Sequence, residues 1–312
     1  GAGELPSQDV TDVFEDPDGT LWISSWGGVT RYRRGVFRTF DMSSGLPHDV
    51  VYCTHRNRAG ELFVGTARGL ARLAGERFEV FVDPAWKGQL NLRAMVEDRR
   101  GALWVASSGG GLSRFENGRF TRHFGREQLG DDWVQTLAID SDGWIWVGTR
   151  NGVVRIDPGS PERPAIAKSS GPTRFGEADG LEGDRATTLF DAPGGGLLVV
   201  TGSKELHSFD GRRFERITPR ALFPRHGSGW GWNQFAFFDR RGRLWYPAHG
   251  ALSRFDPATP PGKAQPEGGL DAAETAVMAA AIEVLRRAGA VVVDPADLPS
   301  VVAADPEDNF LL

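Results

Sequence analysis

The stretch VTDVFEDPDGTLWISSWGGVTRYRRGVFRTF, residues 10–40, holds a complete structural unit. Val10 to Asp16 alternates apolar and polar positions and runs into the turn Asp16-Pro17-Asp18-Gly19; Leu21 to Ser24 follows as an almost wholly apolar run. After Ser25-Trp26-Gly27-Gly28 the alternation resumes over Val29–Arg33, and Arg34-Gly35 turns the chain into Val36–Phe40. A period of two, broken by Asp-Gly and Gly-Gly turns, reads as four short strands in meander order.

The unit recurs. Its turn glycines are Gly19, Gly60, Gly101, Gly143, Gly195 and Gly242, spaced by 41, 41, 42, 52 and 47 residues. Repeats of four strands at this period are the signature of a β-propeller, one blade per repeat. The expected fold is all-β, with six recognisable four-stranded blades over residues 1–257, the sixth stopping at Asp256 before a fourth strand. The opening Gly3-Glu4-Leu5-Pro6 echoes the Gly45-Leu46-Pro47 that follows blade one, as though another blade precedes it.

Positions that repeat have structural readings. Trp22, Phe63, Trp104, Trp146, Leu198 and Trp245 follow the turns and are expected to fill the wedge between neighbouring blades. Asp16, Asp98, Asp140, Asp191 and Asp239, with Asn57 in the second repeat, begin the turns, where a short acceptor side chain can bond its own backbone two residues on. The pairs Asp16/Asp18 and Asp140/Asp142 have too few oxygen ligands for a calcium loop. Arg31, Arg72, Arg114, Arg155 and Arg254 recur on the third strand and read as a solvated face. The single cysteine, Cys53, reads as a buried structural thiol and leaves no intrachain disulfide to form.

The composition, 40% hydrophobic and 25% charged, is that of a globular chain. A net charge of −5 lacks the basic footprint of a nucleic-acid binder. The printed sequence has no apolar run of membrane-spanning length and no signal-peptide pattern.

The repeat, seen as residues 10–37, as GELFVGTARGLARL (60–73) and as TLAIDSDGWIWVGTRNGVVRI (136–156), with Gly-Leu-Pro between blades, resembles the two-component regulator propeller repeat. The resemblance covers about residues 5–257. It implies an incomplete copy of a seven-bladed propeller, periplasmic or extracellular, serving as the sensory part of a hybrid histidine kinase or related regulator. Its implied partners are a small-molecule ligand, often a carbohydrate, and the signalling domains of the full-length protein.

Past Asp256 the composition changes. Residues 258–269 form a Pro/Gly-rich linker, and 270–312 read as a helix over Ala272–Ala288 followed by a short strand, Ala290–Val293. The segment DAAETAVMAAAIEVLRRAGAVVVDPADLP resembles a non-catalytic portion of the amidase signature family. That family's Ser-Ser-Lys machinery lies upstream of this portion, where the present chain is propeller. Ser107-Ser108-Gly109-Gly110-Gly111 imitates the family's Gly/Ser signature but reads as the loop between the second and third strands of repeat three. No catalytic residue carries over.

In a propeller the loops between second and third strands share one face with the blade-to-blade connections, and the Asp-Gly turns lie on the other. That face is expected to gather Trp26, Arg68, Ser108, Arg150, Asn151, Lys204 and His249. Two long connections, 158–184 and 218–233, are read as entering it. The second brings Trp230 and Trp232 as stacking surfaces beside mobile glycines. Aromatic rings interleaved with Arg and Asn suit a sugar or a small aromatic ligand. No metal or cofactor is expected. Catalysis as a glycosidase or lyase would require convergent acid and base groups, and the face offers only His48 and His249. A protein-interaction scaffold is the third class that this architecture serves.

Overall fold

The computed structural model describes residues 5–7, 9–86, 90–159, 171–181, 185–191, 196–202 and 206–216, together with the backbone of strands within 237–255. Blade 1 is β1 (Val10–Glu15), β2 (Leu21–Ser25), β3 (Gly28–Arg33) and β4 (Val36–Phe40). Blade 2 comprises β5 (Val51–Arg56), β6 (Leu62–Thr66), β7 (Leu70–Ala74) and β8 (Arg77–Phe81). Blade 3 follows with β9 (Asn91–Glu97), β10 (Leu103–Ser108), β11 (Gly111–Glu116) and β12 (Arg119–Phe124). In blade 4 the strands are β13 (Val134–Ile139), β14 (Ile145–Thr149), β15 (Gly152–Ile156) and β16 (Thr173–Phe175). Blade 5 is built from β17 (Ala186–Asp191), β18 (Leu197–Thr201), β19 (Leu206–Phe209) and β20 (Phe214–Arg216). A sixth sheet, β21 (Phe237–Phe238), β22 (Leu244–Ala248) and β23 (Ala251–Phe255), has three strands among the described residues. All pairings are antiparallel and sequential within a blade. The segments assigned to the linker and tail, 258–312, lie outside the described residues.

First strands stand beside first strands, β1 against β5, β5 against β9, β9 against β13 and β13 against β17. The core is therefore a series of wedges, each shared by two blades. Trp22 and Phe40 pack with Val51, Leu62 and Val64 of the next blade; Trp104 and Phe124 do the same with Val134, Ile145 and Val147; Trp146 with Leu189, Leu197 and Val199. Phe63 serves the wedge between blades 2 and 3, against Leu92, Val105 and Phe115. Trp22, Phe63, Trp104 and Trp146 are all at most 2% exposed, as wedge residues should be. Such nearest-neighbour burial makes stability the sum of local interfaces.

The turn aspartates do more than shape turns. Asp98 Oδ1 accepts from the backbone N–H of Arg100 and Ala102 at 2.9 and 3.0 Å, while Oδ2 takes the Trp104 indole N–H at 2.9 Å. Asp16 and Asp140 hold Trp22 and Trp146 in the same way, at 2.8 and 2.7 Å. Where the wedge residue is Phe63 and has no N–H, the turn residue is Asn57, whose amide pairs with Glu61 instead. Aspartate thus resolves the polar end of a buried indole.

Two expectations need correction. The third-strand arginines described are not a solvated face: Arg31 lies 5.9 Å from the Trp22 ring, and Arg155 sits 4.7 and 5.4 Å from Trp144 and Trp146, while the Arg254 side chain lies outside the described residues. Arg114, with a side chain 13% exposed, joins Glu116 at 2.6 Å and approaches Asp98 at 3.7 Å. Arginine covers the wedge with its stem and pairs its guanidinium with ring faces and carboxylates. Second, the connection 158–184 is interrupted by β16, with Arg155 opposite Thr173. The chain leaves β15 and returns to β16 at the Asp-Gly-turn end, so only the part after Phe175 reaches the other face.

Cys53 is buried, as expected; its thiol donates to the Leu92 carbonyl at 3.2 Å, and burial pushes its pKa far up.

Candidate functional site

The turns joining second to third strands are built on one rule. A hydroxyl at the end of the second strand donates to the glycine carbonyl across the turn: Ser25 to Gly28 at 3.1 Å, Thr66 to Gly69 at 2.9 Å, Thr149 to Gly152 at 3.1 Å. The same oxygens accept the N–H of Gly27, Arg68 and Asn151. The rigid turn holds Trp26, Arg68, Arg150 and Asn151 outward, while Ala67 is buried. Trp26 is 46% exposed, and Arg68, Arg150 and Asn151 are exposed too.

Arg150 is the most organised of these. Its guanidinium carbon lies 4.5 Å from the Trp133 ring centroid, and its Nε meets Asp131 Oδ2 at 3.3 Å. Asp131 is 1% exposed and also accepts the Trp133 N–H at 3.2 Å. A buried carboxylate and an indole face therefore hold a half-exposed cation in one place, the preorganisation a binding residue needs.

Ser108 departs from its expected role. It is 3% exposed, receives Arg93 Nε at 3.3 Å and lies 3.5 Å from the Val134 carbonyl. Ser107 and Ser108 end β10, and the turn proper is Gly109-Gly110. Trp26 and Arg68 share the face with Arg150 but stand on the turns of other blades. Lys204, Trp230, Trp232 and His249 lie outside the described residues. His48 Nδ1 accepts the Val50 N–H at 3.0 Å, a local turn bond.

A second set of residues escaped the sequence reading. The first strands of blades 1 to 5 each carry a β-bulge at the same place, between Val10 and Asp12, Val51 and Cys53, Leu92 and Ala94, Val134 and Thr136, and Ala186 and Thr188. The extra residues are Thr11, Tyr52, Arg93, Gln135 and Thr187, each eight positions before its anchor glycine. A bulge re-aims a side chain, and these five belong to the innermost strands near the mouth of the turns. Their identities vary, with only threonine occurring twice, while the backbone feature is constant. That constant offset was the available signal for them; for Asp131 and Trp133 it lay in the repeat itself, since Ser7 and Asp9 stand at the corresponding positions before β1 and make the same local bond.

Beside this ring, Asp12 receives the Thr54 N–H at 2.7 Å, and burial raises its pKa to about 6. The folded protein holds this proton more tightly than an unfolded chain, whose aspartate titrates near 3.9. Stability should therefore fall as pH rises from about 4 to about 6 and stay lowered above that, by at most about 3 kcal/mol. Asp12→Asn should flatten this segment of the stability profile in urea titrations at pH 4 and pH 7. A variant with the wild-type slope would contradict it.

The two-component regulator propeller repeat matches residues 4–27 and 128–151. Both matched segments end in second-to-third-strand turns, at Gly27 and Asn151. Among solved structures, the chain resembles the extracellular domain of a B. thetaiotaomicron protein described as the hybrid two-component system BT3049, at 20% identity and TM-score 0.61, over 80% of this chain and 33% of that one. A streptogramin B lyase is similar at 12% identity and TM-score 0.60, over 82% and 83% of the two chains. PorZ of Porphyromonas gingivalis, a surface component of the type-IX secretion system, is similar at 16% and 0.57, over 82% and 39%. The chain spans about a third of the length of the first of these structures. These likenesses show the propeller fold. No curated protein matches the chain. Among the described residues, no helix is long and apolar enough to cross a membrane.

Proposed function

We propose that this propeller is a non-catalytic, extracytoplasmic ligand-sensing module of a two-component regulatory protein. The observation that carries the reading is the match of the regulator repeat to two segments whose closing turns present Trp26 and the Asp131- and Trp133-held Arg150 on one face. An exposed indole and a fixed guanidinium suit a small polar ligand with a flat or hydroxylated surface, a carbohydrate among them. Periplasmic or extracellular placement and coupling to a histidine kinase follow from the same resemblance. The fold itself is shared with lyases, so it does not separate sensing from catalysis.

A library of sugars and small metabolites tested by thermal shift should contain compounds that raise the melting temperature and are recovered uncleaved. Trp26→Ala combined with Arg150→Ala should lose that shift at least tenfold in apparent affinity while the apo melting temperature changes little. Turnover of a stabilising compound, or a library without any stabiliser, would overturn the reading.

A further inference from the structure

The blade 4 turn is built unlike its neighbours. The Nε edge of Arg150 meets Asp131 at 3.3 Å and the face of its guanidinium covers the Trp133 ring at 4.5 Å; no other partner of this side chain occurs among the described residues. Its two Nη groups therefore keep their N–H donors, on a side chain 44% exposed. Asn151 follows, exposed, with its backbone N–H bonded to Thr149 Oγ1 and its amide bonded to nothing among the described residues. Gly152 then forms a parallel bridge with Arg185, the residue before β17. The bridge brings a second arginine to the blade 5 side of the turn, while Trp133, bridged to Ser108, stands on the blade 3 side. The Arg185 side chain is half-buried and makes no hydrogen bond or ion pair among the described residues. No other turn of blades 1 to 4 has this set: blade 1 carries Trp26 and Gly27, blade 2 Ala67 and Arg68, and blade 3, one residue longer, Ser108, Gly109 and Gly110.

We infer that this turn receives the acid group of an anionic small molecule, a carboxylate or a phosphate, gripped by the Nη edge of Arg150, with the Asn151 amide and Arg185 as further donors. Paired guanidinium N–H groups match the oxygens of either acid two to two, a geometry that a point charge lacks. With Nε spent on Asp131, the Nη1–Nη2 edge is the fork left for a ligand. Asp131 is buried, so it anchors the cation from the protein side and does not compete at the surface. Trp133 holds the plane of the fork. An ordinary exposed arginine is ordered only when the ligand arrives; this one is ordered beforehand, which removes part of the cost of binding. Arg68, on the same face, has neither a carboxylate nor a ring against it among the described residues. The inference rests on the sensing role proposed above and names the chemical group its ligand carries.

The probes are D-glucuronate, D-glucose 6-phosphate and D-glucose, titrated calorimetrically into the full chain at about 0.15 M salt, where loose surface charges are largely screened. At least one of the two acids should bind about tenfold more tightly than glucose, and the tighter one tells carboxylate from phosphate. Arg150→Gln should erase that preference, but it also leaves the buried Asp131 without its cation and lowers stability. Arg185→Gln, with no bond to lose, should fold normally and weaken the preferred acid several-fold, so it carries the test. Arg100→Gln, which removes the same charge from an exposed site at the Asp-Gly turn of blade 3, should leave the affinity unchanged. Equal binding of acids and glucose, no binding of any probe, or a loss in Arg100→Gln as large as in Arg185→Gln overturns the subsite. If a neutral compound is bound uncleaved and is lost in the Trp26/Arg150 double variant, while Arg185→Gln changes nothing, the acid subsite is wrong and the sensing role stands. Cleavage of an acid whose binding needs Arg185 would sink the sensing role and leave the subsite.

Discussion

Replacing Trp104 by alanine is expected to lower the unfolding free energy by about 3 to 5 kcal/mol, the cost of emptying a large buried aromatic site. Trp104 is fully buried in the wedge between blades 3 and 4, where it packs with Leu112, Phe124, Val134 and Ile145. The indole is also the partner of Asp98 Oδ2, and Asp98 itself is 2% exposed. Trp104→Phe would keep most of the ring but leave that oxygen only the Arg114 approach at 3.7 Å, at a cost of about 1 to 3 kcal/mol. The protein already contains the compensated version, Phe63 with Asn57. Combining Trp104→Phe with Asp98→Asn should therefore cost less than the sum of the single changes, by more than about 0.5 kcal/mol in a double-mutant cycle measured by urea unfolding. Strict additivity would show that the aspartate is not there for the indole.

Gly28→Ala should be comparably damaging, although it adds one methyl group. Gly28 opens β3 with φ at 121°, and a Cβ there would lie 2.2 Å from the Phe40 carbonyl oxygen. The obstacle is backbone, so no side chain can swing away. Either β4 moves off β3, breaking the outer pair of the blade, or the residue keeps a strained conformation. Strain and displacement together amount to about 2 to 6 kcal/mol. Gly152 repeats the arrangement, with a Cβ 2.3 Å from the Phe175 oxygen. By contrast, Gly35 at the outer hairpin has nothing within 4 Å, so Gly35→Ala carries only the cost of its positive φ. Thermal unfolding of the two variants should separate them clearly; equal losses would discredit the close-approach argument.

Much of the fold was legible because it is local. A strand, an Asp-Gly turn and an apolar strand after it are written within about fifteen consecutive residues, and the wedge aromatics follow from their place after the turn. The strand β16 was not legible: three residues, Thr173–Phe175, have no period of their own, and only their pairing with Val153–Arg155 makes them a strand. The arginines were misjudged for a related reason. An alternating pattern says that Arg155 points away from one blade face, but not that Phe209, on the next blade, lies 5.7 Å from its guanidinium.

At the candidate site, the exposure of Trp26, Arg68, Arg150 and Asn151 could be read from their place in Ser/Thr-x-x-Gly turns, although Ala67 in the same kind of turn is buried. Ser108 could not, because one inserted residue changes which way a strand end faces. The sequence alone determined the repeat, its strand order and the residues that fill the wedges, since these depend on contacts within a unit and on a period that every unit shares. Tertiary structure decided what the exceptions do. Asp131 and Trp133 hold Arg150 from the connection into its blade, and Arg93 meets Ser108 across the strands of blade 3 and Tyr52 on blade 2, through contacts that no local pattern names.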